Sequence, residues 1–241
     1  MAKKETQETR TTIDDLNDTL TKAELKVQDN KKIILWACIG IAAFVCIILL
    51  FIYAYLRPAQ NKANTAYGQA SQKDLIYTMN EGSLDSAAAA TGLNEVISAY
   101  EAAAAKGKDG GNNARIMAAA KAYKAGDYQK ALSLLKDYDR NDEIIACTSK
   151  ALEGDCYVNL DKFDDAIKAF KDAAKIADGN PTLTPYCLLK EATVLHHLGK
   201  YAEEAELYKE ILDRFPEYGA QTNENYEAFY QRALKLAQAK K

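Results

Sequence analysis

Residues 151–174 read ALEGDCYVNLDKFDDAIKAFKDAA, and two further segments of the chain are built in the same way. The turn at the centre of this segment, LDKFDDAIKAF from Leu160, aligns with AGDYQKALSLL from Ala125 and with LGKYAEEAELY from Leu198. The alignment places one aromatic residue of each segment in a single column, at steps of 35 and 38 residues: Tyr128, Phe163 and Tyr201. A period of this length indicates one structural unit repeated along the chain.

Two more columns support the alignment. A small residue precedes each turn, and a large apolar residue follows each aromatic residue by seven positions: Ala119, Gly154 and Ala192 in the first column, and Leu135, Phe170 and Tyr208 in the second. A small residue at a helix crossing lets two backbones approach, and a ring fills the wedge between the helices. The third segment departs from the pattern, because Glu204 stands where the first two segments have alanine.

This pattern resembles the tetratricopeptide repeat, a helix–turn–helix unit of 34 residues with small residues where its helices cross. The resemblance implies an all-α fold in which residues 106–241 form a tetratricopeptide-repeat solenoid of about three repeats. A final helix from about Asn223 to Gln238 would cap the stack, as the ends of solenoids require. Residues 106–113, KGKDGGNN, are rich in turn-forming types and predict a flexible loop before the first repeat.

The composition agrees with a helical protein. Only 4 of the 241 residues are proline, and no alternating run of β-branched and aromatic residues bounded by turns predicts a strand. The net charge of -3 gives no basic field for a nucleic acid, so nucleic-acid binding is not expected.

A second stretch decides where the protein lies. Ile33–Leu56, IILWACIGIAAFVCIILLFIYAYL, contains 24 residues without a charge. An unbroken helix of this length measures about 36 Å, which exceeds the roughly 30 Å hydrocarbon core of a bilayer. Trp36 lies near one end and Tyr53 near the other, where amphipathic rings lie at membrane interfaces. A buried helix of a soluble core is the alternative, but apolar residues on every side favour a transmembrane helix.

The span predicts how the chain is divided. Its apolar region is too long for a cleavable signal peptide, so residues 33–56 are expected to form an uncleaved signal anchor. Residues 57–105 would form a stalk and leading helices. Four lysines flank the start of the span and three basic residues follow its end, which favours a cytoplasmic N-terminus.

Residues 1–32 would then form a cytoplasmic tail with a short amphipathic helix. This helix either lies on the membrane surface or docks a partner or a second copy. Its apolar stripe consists of Ile13, Leu16, Leu20, Ala23 and Val27.

Three of the five cysteines lie outside the span: Cys147, Cys156 and Cys187. They are an odd number with no CxxC pair, so a disulfide framework or a zinc site is not predicted. We expect three small core residues. If this part of the chain is exported, one disulfide with one free thiol stays open.

No residue pattern predicts catalysis. His196 and His197 are the only histidines, and adjacent helix positions point about 100° apart, so the two side chains cannot share one metal. The glycines Gly107, Gly110 and Gly111 are not followed by the GK[ST] of a phosphate loop. Neither GxSxG nor HExxH occurs. We therefore expect no enzyme activity, no metal and no cofactor.

A narrower resemblance concerns the anchor and the repeats together. The tracts GDYQKALSLLKDY, ALEGDCYVNLDKFDDAIKAFKDAA and TPYCLLKEATVLHHLGKYAEEAELYKEILDRFPE, behind an N-terminal anchor, are similar to the ancillary SecYEG translocon subunit family (YfgM-like) in its Bacteroidota-type versions. The resemblance covers residues 114–217 and the anchor. It implies a single-pass inner-membrane protein with its repeats in the periplasm, associated with translocon subunits, periplasmic chaperones or client chains.

In tetratricopeptide stacks the first helix of each repeat lines the concave face. Transferring that face by register predicts a protein-binding surface of rings, amides and few charges: Tyr123, Lys124, Asp155, Val158, Asn159, Tyr186, Lys190, Thr193, His196 and His197. This mixture suits a helical or extended segment of a partner. Cytosolic chaperone-clamp members bind a terminal carboxylate through Lys and Asn, and here only Lys190 among those positions is basic. A carboxylate clamp is therefore not expected; the other positions hold Ile116, Ala120, Leu152 and Tyr186.

The sequence thus predicts a non-catalytic scaffold at a protein-translocation or envelope-assembly site. One alternative is a self-associating structural adaptor for envelope assembly or cell division, which would form a homo-oligomer. Another alternative is a cytosol-facing receptor with the reverse topology.

Overall fold

The computed structural model describes residues 20–21, 30–107, 109–138 and 142–240, and every regular element within these ranges is helical. The prediction of an all-α fold is confirmed for this part of the chain. The chain divides into two compact units, Met1–Pro58 and Ala59–Lys241. The predicted amphipathic stripe of the tail lies outside the described residues except for Leu20.

The first unit contains the apolar helix α1, Lys31–Phe51, followed by a π-helical turn, Ile52–Leu56. It is the one stretch among the described residues that is long and apolar enough to cross a bilayer. Its side chains are exposed to a degree unusual for apolar residues, with Ile33, Trp36, Tyr53 and Leu56 between 49% and 71% accessible. The sequence predicted an unbroken helix here, whereas the structure widens its last turn, as single π-helical turns do.

The second unit consists of helices that follow one another closely. Their bounds are α2 Arg57–Asn80, α3 Ser86–Ala104, α4 Asp109–Lys124, α5 Tyr128–Lys136, α6 Glu143–Asn159, α7 Phe163–Ile176, α8 Leu183–His197, α9 Tyr201–Arg214, α10 Tyr218–Thr222 and α11 Tyr226–Ala239. A short 3₁₀ turn, Glu81–Ser83, follows α2.

Three helix pairs form the repeat: α4 with α5, α6 with α7, and α8 with α9. Each pair also packs against the next, through α5 on α6 and α7 on α8. The first helices lie side by side, α4 against α6 and α6 against α8, while α11 covers α9 at the end. The last helix begins three residues later than predicted, because Asn225 caps it by accepting a hydrogen bond from the N–H of Ala228 at 3.0 Å.

The turns inside the three pairs share one motif. In each, one residue has a left-handed backbone, with φ of 81° at Gly126, 56° at Asp161 and 66° at Gly199. The N–H of the following residue donates to the carbonyl five positions back, and this distance is 2.9 Å in all three turns. Such a motif satisfies the last carbonyls of the first helix and reverses the chain. Glycine adopts this backbone without a steric penalty, whereas Asp161 adopts it at some cost.

The small-residue column marks the helix crossings. A Cβ built on Gly154 would lie 2.4 Å from Cε1 of Phe170, a ring that is only 1% accessible. The α6 backbone therefore rests directly on the Phe170 ring of α7, and only glycine fits between them. Ala119 and Ala192, the equivalent residues of the other pairs, are fully buried.

The prediction of a flexible loop over residues 106–113 is wrong for its second half. Helix α4 already begins at Asp109, so Gly110 and Gly111 are helical. A Cβ on Gly110 would lie 2.7 Å from the carbonyl carbon of Ala63 in α2, and one on Gly111 would lie 2.7 Å from the carbonyl oxygen of Ala104 in α3. These glycines allow three helices to meet closely.

Buried side chains form two clusters in the second unit. The first joins α2, α3, α4 and α5 and includes Cys156, and the second joins α6 through α11 and includes Cys147 and Cys187. All three cysteines have no accessible surface, so their prediction as core residues is confirmed. Helix α2 contributes Ala66, Ala70 and Tyr77 to the first cluster, and it is therefore a packing helix of this unit.

We predict that Gly154→Ala lowers the free energy of unfolding by about 1–3 kcal/mol, because the added methyl group overlaps the Phe170 ring. The matched control is Gly68→Ala. Gly68 is an exposed helical glycine, and a Cβ added to it would have no atom within 4 Å, so this change should stabilise by about 0.5–1 kcal/mol. Urea denaturation followed by circular dichroism measures both. Stabilisation by both variants would contradict the close crossing.

Candidate functional site

The ten residues predicted to bind a partner all lie on α4, α6 and α8, the three first helices of the pairs. We call the surface that these helices present the first-helix face. Tyr123 and Lys124 lie at the end of α4, Asp155, Val158 and Asn159 lie at the end of α6, and the remaining five lie along α8: Tyr186, Lys190, Thr193, His196 and His197.

Five of these residues form a continuous polar band across all three helices. The side-chain amide of Asn159 donates to the hydroxyl of Tyr123 at 3.2 Å, which links α6 to α4. The Lys190 ammonium donates to both carboxylate oxygens of Asp155, at 2.8 and 2.9 Å, which links α8 to α6. Lys190 also lies 5.1 Å from the ring centre of Tyr186, one turn earlier on α8.

The ion pair within this band is partly shielded from water. Burial by itself would lower the pKa of Lys190, but the hydrogen bonds and the negative charge of Asp155 outweigh it, so the pKa of Lys190 is raised. The ammonium therefore stays charged at every physiological pH. Tyr186 is 40% accessible and presents a large ring beside this fixed charge.

Other predicted residues are directed to partners within the chain. Lys124 pairs with Glu81 at 2.6 Å and lies above the ring of Tyr77, so it faces the end of α2. Thr193 is exposed and donates to the carbonyl of Leu189 in its own helix. Val158 is partly buried against the second cluster.

The two histidines separate, as adjacent helix positions require. The ring of His197 packs on that of Phe163, with centres 4.8 Å apart. His196 turns to α9, where its Nδ1 lies 2.9 Å from Oε2 of Glu204. Glu204 has no accessible surface, and its other nearby cation is Arg232 of α11, at 3.9 Å. The sequence signal for this contact was the acidic residue in an alanine column, and its histidine partner was not identified.

A groove on the opposite side of α8 was not predicted. Its volume is about 330 Å³, and it runs between α7 and α9 with α8 as its floor. Glu191 of the floor is 2% accessible and lies 3.4 Å from Lys171, and burial raises the pKa of its carboxyl despite this lysine. Arg214 closes one end by bridging Glu210 and Asp178, each at 2.5 Å. These partners lie about twenty or more residues apart in sequence, and no local pattern joins them.

Within the ranges that the structure describes, no three His, Cys, Asp or Glu side chains are grouped so that they could hold a metal ion. The geometry of the first-helix face is instead that of a recognition surface. It combines an accessible ring, an amide and an ion pair whose side chains are held in place by one another, which limits the entropy lost on binding.

Comparison with known proteins assigns no family. No family model matches the chain, and no curated protein matches it. The solved structures that it resembles include a crystal structure of MamA, which is 15% identical. The likeness covers 62% of this chain and 91% of that chain with a TM-score of 0.45. Likeness at this level carries nothing about MamA over to this protein.

We predict that His196→Ala destabilises the protein by about 1–3 kcal/mol, because it leaves the buried Glu204 carboxylate with only the more distant Arg232. Glu204→Ala restores the alanine of the other repeats and removes the unmet charge. The double variant should therefore lose less stability than the sum of the single variants, with a coupling of about 1 kcal/mol or more. His197→Ala is the control and should cost less. Strict additivity of His196→Ala and Glu204→Ala would contradict the pairing.

Proposed function

We propose that this protein is a non-catalytic scaffold that binds other proteins through the first-helix face. The polar band from Tyr123 to Tyr186 carries this proposal, because it crosses three consecutive repeats without a break. Side chains at such a band lie where an extended or helical segment of a partner would run along several helices at once. No group of residues in it is arranged as a nucleophile with a base or as an acid–base pair.

A membrane anchor is the second part of the proposal. Residues 33–56 would span the bilayer, residues 1–32 would form a cytoplasmic tail, and residues 57–105 would lead into a solenoid of residues 106–241. The exposure of nearly all apolar side chains of α1 supports this assignment, since such a surface needs an apolar surrounding. The side chain of Arg57 lies 5.0 Å from the ring centre of Tyr53, as expected for an interface pair.

The location and the partners follow from the resemblance given above. The solenoid would lie in the periplasm of a bacterial inner membrane and would hold chaperones or emerging client chains beside the translocon. Tyr186 is the expected anchor of such contacts, because accessible tyrosines next to a fixed charge dominate many protein interfaces.

Self-association is a second candidate function. Leu75, Ile76 and Met79 form an exposed apolar strip on α2, with 54% to 76% of each side chain accessible. An exposed strip of this kind is typical of a surface that another protein covers. A structural adaptor would use it to join copies of the chain.

Topology is tested with a membrane-impermeant maleimide on intact cells and spheroplasts. The native Cys147, Cys156 and Cys187 are inaccessible, so Lys168→Cys on the exposed side of α7 serves as the reporter. We predict labelling of this variant in spheroplasts without permeabilisation, and little labelling of the unsubstituted protein. Labelling only after the membrane is permeabilised would contradict a periplasmic solenoid.

Partner binding is tested with a photo-crosslinking amino acid at Tyr186 in the full-length protein in its native membrane. Lys168, which is exposed on a second helix, is the matched control position. We predict adducts with translocon subunits or periplasmic chaperones from position 186 and few from position 168. Adducts between two copies of this chain would favour the adaptor instead. Equal adducts at both positions would contradict the assignment of the first-helix face.

A further inference from the structure

Two cysteines of neighbouring repeats lie in contact. Sγ of Cys147 on α6 is 3.5 Å from Sγ of Cys187 on α8, and neither residue has accessible surface. The sulfurs of a disulfide are about 2.0 Å apart, so the two atoms must approach by roughly 1.5 Å. Side-chain rotation and a small shift between the two packed helices are enough for this.

The third core cysteine is excluded from the contact by its helix position. Cys156 follows Cys147 by nine residues on α6, which places the two side chains on roughly opposite sides of the helix. Cys156 accordingly belongs to the first cluster, with Ala122 and Ala131 as fellow members. Of these three thiols, the fold brings one specific pair together.

We propose that Cys147 and Cys187 form a structural disulfide that joins the first helices of the second and third repeats, and that Cys156 remains a thiol. The pairing itself follows from the contact. Its formation in the cell rests on the proposed periplasmic location, since disulfides persist in oxidising compartments.

The bond forms by exchange with a disulfide oxidant, such as oxidised glutathione or a thiol oxidoreductase. The two cysteines give up two protons and two electrons, one S–S bond forms between them, and the oxidant's S–S bond is reduced to two thiols. Exchange requires a thiolate, and burial raises the pKa of the Cys147 thiol. The folded pair therefore exchanges slowly, so the bond should form while the chain folds and should then resist reduction.

The consequence concerns the first-helix face. In a repeat stack each unit is held only by its neighbours, so the α6–α8 contact alone sets the spacing of these two helices. The disulfide would close a loop with 39 residues between its cysteines and would restrict the unfolded chain. The same two helices carry Asp155 and Lys190, so the bond would also fix the ion pair of the polar band.

The pairing is tested on the purified full-length protein in detergent. Protein unfolded under reducing conditions is refolded with oxidised glutathione, free thiols are blocked with N-ethylmaleimide, and the peptides are mapped by mass spectrometry. We expect one cross-linked pair of peptides, joining Cys147 to Cys187, and a blocked thiol at Cys156. Pairing of Cys156 with either residue, glutathione adducts in place of the cross-link, or free thiols at both positions would overturn the proposal.

Stability gives a second, independent measurement. The Tm of the oxidised protein should exceed that of the reduced protein by about 5–10 °C. Cys156→Ala is the matched control and should retain this difference, whereas Cys147→Ala should abolish it. Equal Tm values for oxidised and reduced unsubstituted protein would overturn the structural role even if Cys147→Ala fails to fold.

Trapping thiols in intact cells separates the pairing from the location. A cross-link in cells supports both. A pair that forms in the purified protein but is fully reduced in cells contradicts the periplasmic location and not the pairing. Absence of the cross-link in the purified protein contradicts the pairing, whatever the location.

Discussion

The close contact between the backbone of α6 and the ring of Phe170 is the constraint on which the repeat unit depends. Because Gly154 has no side chain, α7 packs against α6 at a distance that no larger residue permits. The other pairs meet this constraint with alanine, at Ala119 and Ala192. Once each pair is packed in this way, the second helix of one pair must meet the first helix of the next. The first helices are then brought side by side, which aligns Tyr123, Asn159 and Lys190 into one band.

Much of this could be predicted from the sequence, because the repeat expresses it three times. A column of small residues, an aromatic residue after the turn and a large residue seven positions later each require a local backbone geometry that the period reveals. The left-handed turn residue follows the same rule, with Gly126 and Gly199 matched by Asp161. The band itself was predicted by register, since helix position decides which residues face outward.

What failed depended on contacts between distant segments. The flexible loop predicted around Gly110 and Gly111 was wrong because composition cannot distinguish a mobile glycine from one that a neighbouring backbone touches, here at Ala63 and Ala104. Lys124 was placed on the binding surface by register, but Glu81, more than forty residues earlier, draws it toward α2. The groove with Glu191 on its floor was missed for the same reason.

Buried carboxylates explain how repeats of similar shape keep a single order. Asp74 contacts Lys121 at 2.5 Å in the first cluster, Glu191 meets Lys171 between the second and third pairs, and Glu204 meets His196 inside the third. A buried charge is costly without its partner, so each pair penalises any packing that separates its members. Apolar and small residues alone would allow one helix pair to replace another, because their columns are nearly the same in all three repeats. The charged residues differ from repeat to repeat, and they therefore specify which helix packs on which.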